Sequence, residues 1–141
     1  MIYTLDTNIL IYAVSTDDAH KQGIAQALLA KALRSQDGQC VMVSQVLGEF
    51  MSATTRRGCL DCASAAAFTR KCALAIKVVA ASPAAFEAAT ALFANHQYQF
   101  WDALIVATCA EHKVQRLYTE NLGSLDKPLG VELVNPFEVS T

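Results

Sequence analysis

Apolar and polar positions along the chain predict short buried strands alternating with helices. Residues 1–5 (MIYTL) make an apolar run of strand length. Asp6, Thr7 and Asn8 follow it, all good capping types, so TNILIYAV over 7–14 reads as a helix. A second helix is expected from His20 to about Gln36, with Ile24, Leu28, Leu29 and Leu33 on one side and Asp37-Gly38 ending it. CVMVS at 40–44 reads as a strand, and a helix from about Gln45 to Arg57 follows, stopped by Gly58. Another helix is expected from about Asp61 to Ala75, then a short strand, KVVA, at 77–80. Ser82-Pro83 sets a capping residue before a proline at the first helical position and opens a helix to about His96. Residues 102–113 read as a helix that is apolar almost all round, hence buried. RLYT at 116–119 and VELV at 131–134 are the last strands, with a loop over 121–130 between them.

Strands that alternate with helices predict an α/β fold, a three-layer α/β/α sandwich around a short, mainly parallel sheet covered on both faces. The 141 residues suit one domain spanning 1–141. In such folds ligands bind outside the carboxyl ends of the strands. The residues that follow each strand are therefore the candidates for function.

Four acids meet that criterion or come near it. Asp6 follows the first strand, Glu49 lies about one turn into the helix after the second, and Glu120 follows the strand at 116–119. Asp102 starts the apolar helix, preceded by Phe100 and Trp101. Each has an ordinary alternative: Asp6 as a helix cap, Asp102 as a helix-start acid favoured by the dipole, Glu49 as an edge residue paired with Arg56 or Arg57, Glu120 as a turn residue. No Lys or Arg lies within several residues of Asp6 or Asp102. Carboxylates gathered near an interior raise one another's pKa, and a hard divalent cation such as Mg²⁺ or Mn²⁺ relieves that repulsion.

Composition narrows the classes. With 53% apolar and 17% charged residues, the chain is not of disordered type. No apolar run reaches the ~18 uncharged residues of a membrane span. The start lacks the pattern of a signal peptide, so a cytoplasmic protein is expected, with no membrane partner. A net charge of −2 gives no bulk support for nucleic-acid binding, which leaves a local patch. Arg56-Arg57 is the best candidate for one. Five cysteines, an odd number, argue against a disulfide framework, and Cys59-x-x-Cys62 lacks a second pair at zinc spacing. His20, His96 and His112 are scattered and read as surface or helix-end residues. Tyr98, Phe100 and Trp101 suit either base stacking or a core or dimer contact. The common hydrolase elbow, the phosphate-binding glycine loop and the dinucleotide fingerprint are all missing.

The order of motifs resembles PIN domains over essentially the whole chain, and most of all the VapC-type toxins of bacterial toxin–antitoxin pairs. Asp6-Thr7-Asn8 is similar to their opening, SQVLGEF (44–50) to the segment with the second acid, WDALIVATC (101–109) to the third motif, and LYTEN (117–121) to the fourth. The resemblance implies a PIN-like fold and a Mg²⁺- or Mn²⁺-dependent endoribonuclease. It also implies a homodimer, an RNA substrate and a cognate antitoxin. It assigns Asp6, Glu49 and Asp102 as metal-binding, catalytic acids, and Thr7, Asn8, Ser44 and Thr119 as supporting residues. The fourth motif usually reads Thr-Glu-Asp. Here Asn121 takes the last position as a supporting residue without charge, and Glu120 is the nearest carboxylate and the fourth catalytic candidate. From the acids alone, a Mg²⁺-dependent phosphohydrolase of a small metabolite and a catalytically weakened binding protein stay open.

Overall fold

Among the described residues every strand is three residues long. A computed structural model describes residues 1–35, 38–96, 98–123 and 125–138, with β1 (Tyr3–Leu5), β2 (Val41–Val43), β3 (Lys77–Val79), β4 (Arg116–Tyr118) and β5 (Glu132–Val134). Each pairing between them is parallel: β1 with β4, β4 with β5, and β2 with β3. A single parallel bridge, Tyr3 to Cys40, joins the two sets and gives the order β3-β2-β1-β4-β5. The chain steps from β1 to one side for β2 and β3, and to the other for β4 and β5. The crevice at that reversal, beyond the carboxyl ends of β1 and β4, is where a ligand belongs.

Among the described residues six α-helices connect and cover the strands: α1 (Thr7–Val14), α2 (Ala19–Arg34), α3 (Ser44–Arg56), α4 (Cys62–Ala75), α5 (Pro83–His96) and α6 (Phe100–Glu111). β1 and β2 are buried at every position, as strands covered on both faces must be. This is the α/β/α arrangement that the alternating pattern predicted. Local chemistry sets the helix starts. Asp18 and Asp61 accept backbone N–H groups of Lys21 and Ser64, and Ser82 accepts that of Ala85 before Pro83. Asp61 is thus a cap, and α4 begins one residue later than expected.

Two expectations need adjustment. The buried seam of α2 is Ala25, Leu29 and Ala32, while Ile24, Leu28 and Leu33 are only partly covered. Small residues let α2 lie close to its neighbour, α1. Its expected end falls on Gln36 and Asp37, which lie outside the described residues. Second, α6 starts at Phe100, two residues early, so Phe100 and Trp101 are helical and Asp102 stands inside the first turn. The rest of α6 matches its apolar pattern: Ala103 through Cys109 are all buried. No helix among the described residues is long and apolar enough to cross a membrane. All five cysteines are free, with Cys40, Cys72 and Cys109 buried.

The seam between β1 and β2 has only its one bridge, and a side chain reinforces it. The fully buried Thr4 hydroxyl donates to the Val41 carbonyl at 2.5 Å. Thr4→Val keeps the shape and removes this bond, leaving the buried carbonyl with only the weak Cys40 thiol contact at 3.6 Å. The expected loss is about 1–2 kcal/mol of unfolding free energy, read from the urea midpoint at constant slope.

Candidate active site

Asp6 is the first residue beyond β1 and the N-cap of α1, so strand end and helix start fall on one side chain. It is 5% exposed. Its Oδ1 accepts the Thr7 backbone N–H at 2.7 Å, and its Oδ2 accepts the Thr119 hydroxyl at 2.6 Å. Thr119 directly follows β4 and in turn accepts the Asn121 backbone N–H at 3.0 Å. Burial raises the Asp6 pKa, and the bonds from Thr119 and Thr7 work against that rise. Thr7, Thr119 and Asn121 thus form one chain of donors that orients a buried carboxylate.

Glu49 is delivered by α3, whose other face buries Val46, Phe50 and Ala53. Its Oε1 accepts the Thr7 hydroxyl at 3.0 Å and the Gln45 amide at 3.4 Å. It pairs with neither Arg56 nor Arg57. Burial raises its pKa, the Thr7 bond opposes this, and the charge of Asp6 adds to the rise. Asp102 is half-buried at the start of α6, and its carboxylate makes no hydrogen bond or ion pair among the described residues. Burial first, then the charges of Asp6 and Glu49, push its pKa to about 6. The end of β1, the helix after β2 and the start of α6 therefore bring three acids from distant parts of the chain within reach of one another's fields.

These acids line a cavity of about 690 Å³ between α1 and α3. Asn8, Glu120 and Asn121 also line it, as do Arg56 and Arg57, which are exposed where α3 ends. Ser44 is exposed and lies outside the lining; its neighbour Gln45 makes the contact that reaches Glu49. Glu120 faces different partners from the other acids. Its Oε2 pairs with Lys21 at 2.6 Å, and its Oε1 accepts the Tyr12 hydroxyl at 2.8 Å. The Lys21 ammonium also lies over the rings of Tyr12 and Phe137. Sequence reasoning missed Gln45, Tyr12 and Lys21. Gln45 could have been found as an amide four residues before a helical glutamate. Lys21 carried no local signal, since its partner is 99 residues away.

A divalent cation suits this donor set. Asp102 bears burial and repulsion with no donor to offset them, and the buried Oδ1 of Asn8 on the cavity wall has no hydrogen-bond partner. Among the described residues no group of three or more Asp, Glu, His or Cys side chains is placed to hold a metal ion by itself. Mg²⁺ needs none, because it keeps several waters and binds through one or two carboxylates.

Known proteins share both the motif order and the fold. The PIN domain family profile matches residues 3–126, and the chain belongs to that family. No curated protein matches it by sequence. Among solved structures it is similar to VapC20 (Rv2549c) of Mycobacterium tuberculosis, a sarcin-ricin loop cleaving toxin. The two are 22% identical over 85% of this chain and 90% of that one, with a TM-score of 0.68. A toxin–antitoxin complex from Klebsiella pneumoniae is 23% identical over 97% of this chain and 99% of that one, with a TM-score of 0.66. VapBC2 from Rickettsia felis, bound to a DNA fragment from its promoter, is 17% identical over 94% and 97%, with a TM-score of 0.66.

The crowding of acids has a consequence for stability. The folded protein holds the Asp102 proton to about pH 6, whereas the unfolded carboxyl releases it near its ordinary value of 3.8. Between those values the folded chain binds more protons, so stability falls as pH rises through the window and stays reduced above it. Asp102→Asn removes this loss. With chelator present the variant should be more stable than wild type at pH 7.5, by roughly 1 kcal/mol after solvent screening. The gain should vanish towards pH 4. Thermal melts at pH 4, 6 and 7.5 check it.

Proposed function

We propose that the protein is a divalent-metal-dependent endoribonuclease and the toxin of a type II toxin–antitoxin pair. The observation that carries this reading is the gathering of Asp6, Glu49 and Asp102 in one cavity whose rim holds Arg56 and Arg57. Family membership supports nuclease chemistry, and the similarity to VapC20 supports RNA as the substrate. Two of the similar structures are toxin–antitoxin complexes or VapBC assemblies, which supports an antitoxin partner. Homodimerisation belongs to the same proposal and is read from the mass in solution by light scattering.

Asp6 and Asp102 would hold Mg²⁺ or Mn²⁺, with Glu49 as a further ligand or as the group that orients a water. When bound, the ion acidifies water and offsets charge on the phosphoryl group. The chain's own residues do the remainder. Thr7 and Thr119 fix the rotamer of Asp6. Glu49 has Oε1 committed to Thr7 and Gln45, which leaves Oε2 to accept from water. Arg56 and Arg57 supply cationic contacts to the RNA backbone, where phosphates dominate affinity. Water adds to phosphorus and the bond to the 3′-oxygen breaks. A proton passes from the water to the leaving 3′-oxygen, giving 3′-hydroxyl and 5′-phosphate ends. Glu120, neutralised by Lys21, serves to anchor the segment after β4 to α1 and α2.

Two measurements test this. Asp6→Asn and Asp102→Asn should each lower Mn²⁺-dependent RNA cleavage by at least about a hundredfold with the fold retained. A folded Asp102→Asn protein that cleaves RNA at the full rate defeats the reading. Arg56→Ala/Arg57→Ala should keep Mn²⁺ affinity and weaken RNA binding, and the salt slope of binding should fall by about 1.4, two single-strand phosphate contacts.

A further inference from the structure

Gln45 is the second residue of α3, one turn before Glu49. Its amide nitrogen Nε2 donates in two directions, to the Trp101 carbonyl at 3.0 Å and to Glu49 Oε1 at 3.4 Å. A backbone carbonyl and a carboxylate only accept, so the NH₂ end of the amide must face them. Trp101 is the residue before Asp102 in the first turn of α6. Among the described residues, the Gln45–Trp101 bond is the one hydrogen bond that joins α3 to α6. It therefore links the helix that carries Glu49 to the helix that carries Asp102, two acids whose charges oppose one another.

Stability does not account for an amide here. Gln45 Oε1 is buried with no hydrogen-bond partner, and burying such an atom carries a cost. An apolar side chain of the same length would fill the space without that cost. What only the amide supplies is two donors aimed at two acceptors on different helices.

We propose that Gln45 is a positioning residue: its amide ties Glu49 to the first turn of α6 and so sets how Glu49 stands towards Asp102. This rests on the reading that these acids hold a divalent cation. Without the tie, Glu49 keeps Thr7 as its other donor but loses its connection to α6. The cation then meets acids that are no longer held in register. Hydrogen bonds to ligating carboxylates contribute to metal affinity even though they do not touch the ion.

The experiment uses the full chain and four forms: wild type, Gln45→Met, Gln45→Ala and Asp102→Asn. Mn²⁺ binding is measured by calorimetry, melting temperature with chelator present, and steady-state cleavage of RNA at saturating Mn²⁺. Gln45→Met should melt no lower than wild type, because its orphaned oxygen is gone. Its Mn²⁺ affinity should be weaker by about 10–100-fold, with kcat lowered and KM for RNA unchanged. Gln45→Ala should show the same loss of Mn²⁺ affinity. Wild-type Mn²⁺ affinity in both Gln45 variants overturns the positioning role and leaves the nuclease reading intact. So does a loss of affinity seen only in variants that melt lower with chelator, which is damage to the fold. A wild-type protein that binds no Mn²⁺, or an Asp102→Asn protein that binds it equally well, defeats the nuclease reading and this inference with it.

Discussion

Repulsion among partly desolvated carboxylates is the constraint around which this structure is arranged. Asp6, Glu49 and Asp102 come from three separate segments, yet each has its pKa raised, by burial first and, for Glu49 and Asp102, by its acidic neighbours too. Carboxylates in that position would separate or stay protonated unless the fold held them. The holding is done by a few neutral donors. Thr119 and the Thr7 backbone N–H fix Asp6, while the Thr7 hydroxyl and Gln45 fix Glu49. Thr7 serves both acids, one through its backbone and the other through its side chain. Neutral donors orient the acids without cancelling their charge. A lysine would have stabilised the folded chain more and left less for a cation to do.

The contrast with Glu120 makes the same point. It lines the same cavity, but the Lys21 ammonium and the Tyr12 hydroxyl occupy its two oxygens, and the rings of Tyr12 and Phe137 lie against that ammonium. Its charge is used within the protein. The fold thus separates two kinds of acid at one sheet end: three left unneutralised, and one spent on fixing the chain after β4. That division answers the departure in the fourth motif, where Asn121 supplies no charge and its backbone N–H supports Thr119 instead.

Much of this was legible from residue order. Asp6 was readable because one rule places it at a strand end and another makes it a cap, and both hold. The apolar circumference of residues 103–109 fixed α6 as a buried helix without reference to any partner. What could not be read depends on long-range contacts. Lys21 looks like any solvated helix lysine until β4 brings Glu120 to it. Asp102 suits a helix start because its charge favours the dipole end, whereas α6 begins at Phe100 and Gln99 takes the cap position without a side-chain bond. The seam of α2 is legible only in part: Leu29 is buried and Leu28 and Leu33 pack against the core, while Ala25 and Ala32, which carry little hydrophobic signal, complete the buried line. The family resemblance assigns Ser44 a supporting role, yet it is the amide of Gln45 beside it that reaches Glu49.

The placement of Arg56 and Arg57 follows from the same electrostatics. A site of uncompensated acids repels a polyanion, so under the proposed function the acids themselves would not draw in an RNA substrate. Cations must be present, but not close enough to pair with the acids. On α3, Glu49 and Arg56 are seven residues apart, roughly 10 Å along the axis. At that separation, with a Debye length of about 8 Å at physiological salt, the arginines leave the acids unpaired, and under the proposed function they would be available to phosphate at one end of the cavity. One helix therefore carries both requirements, with its acid at the sheet end and its cations where it leaves the cavity. Moving the arginines one turn towards Glu49 would neutralise the site, and moving them one turn away would detach them from the groove.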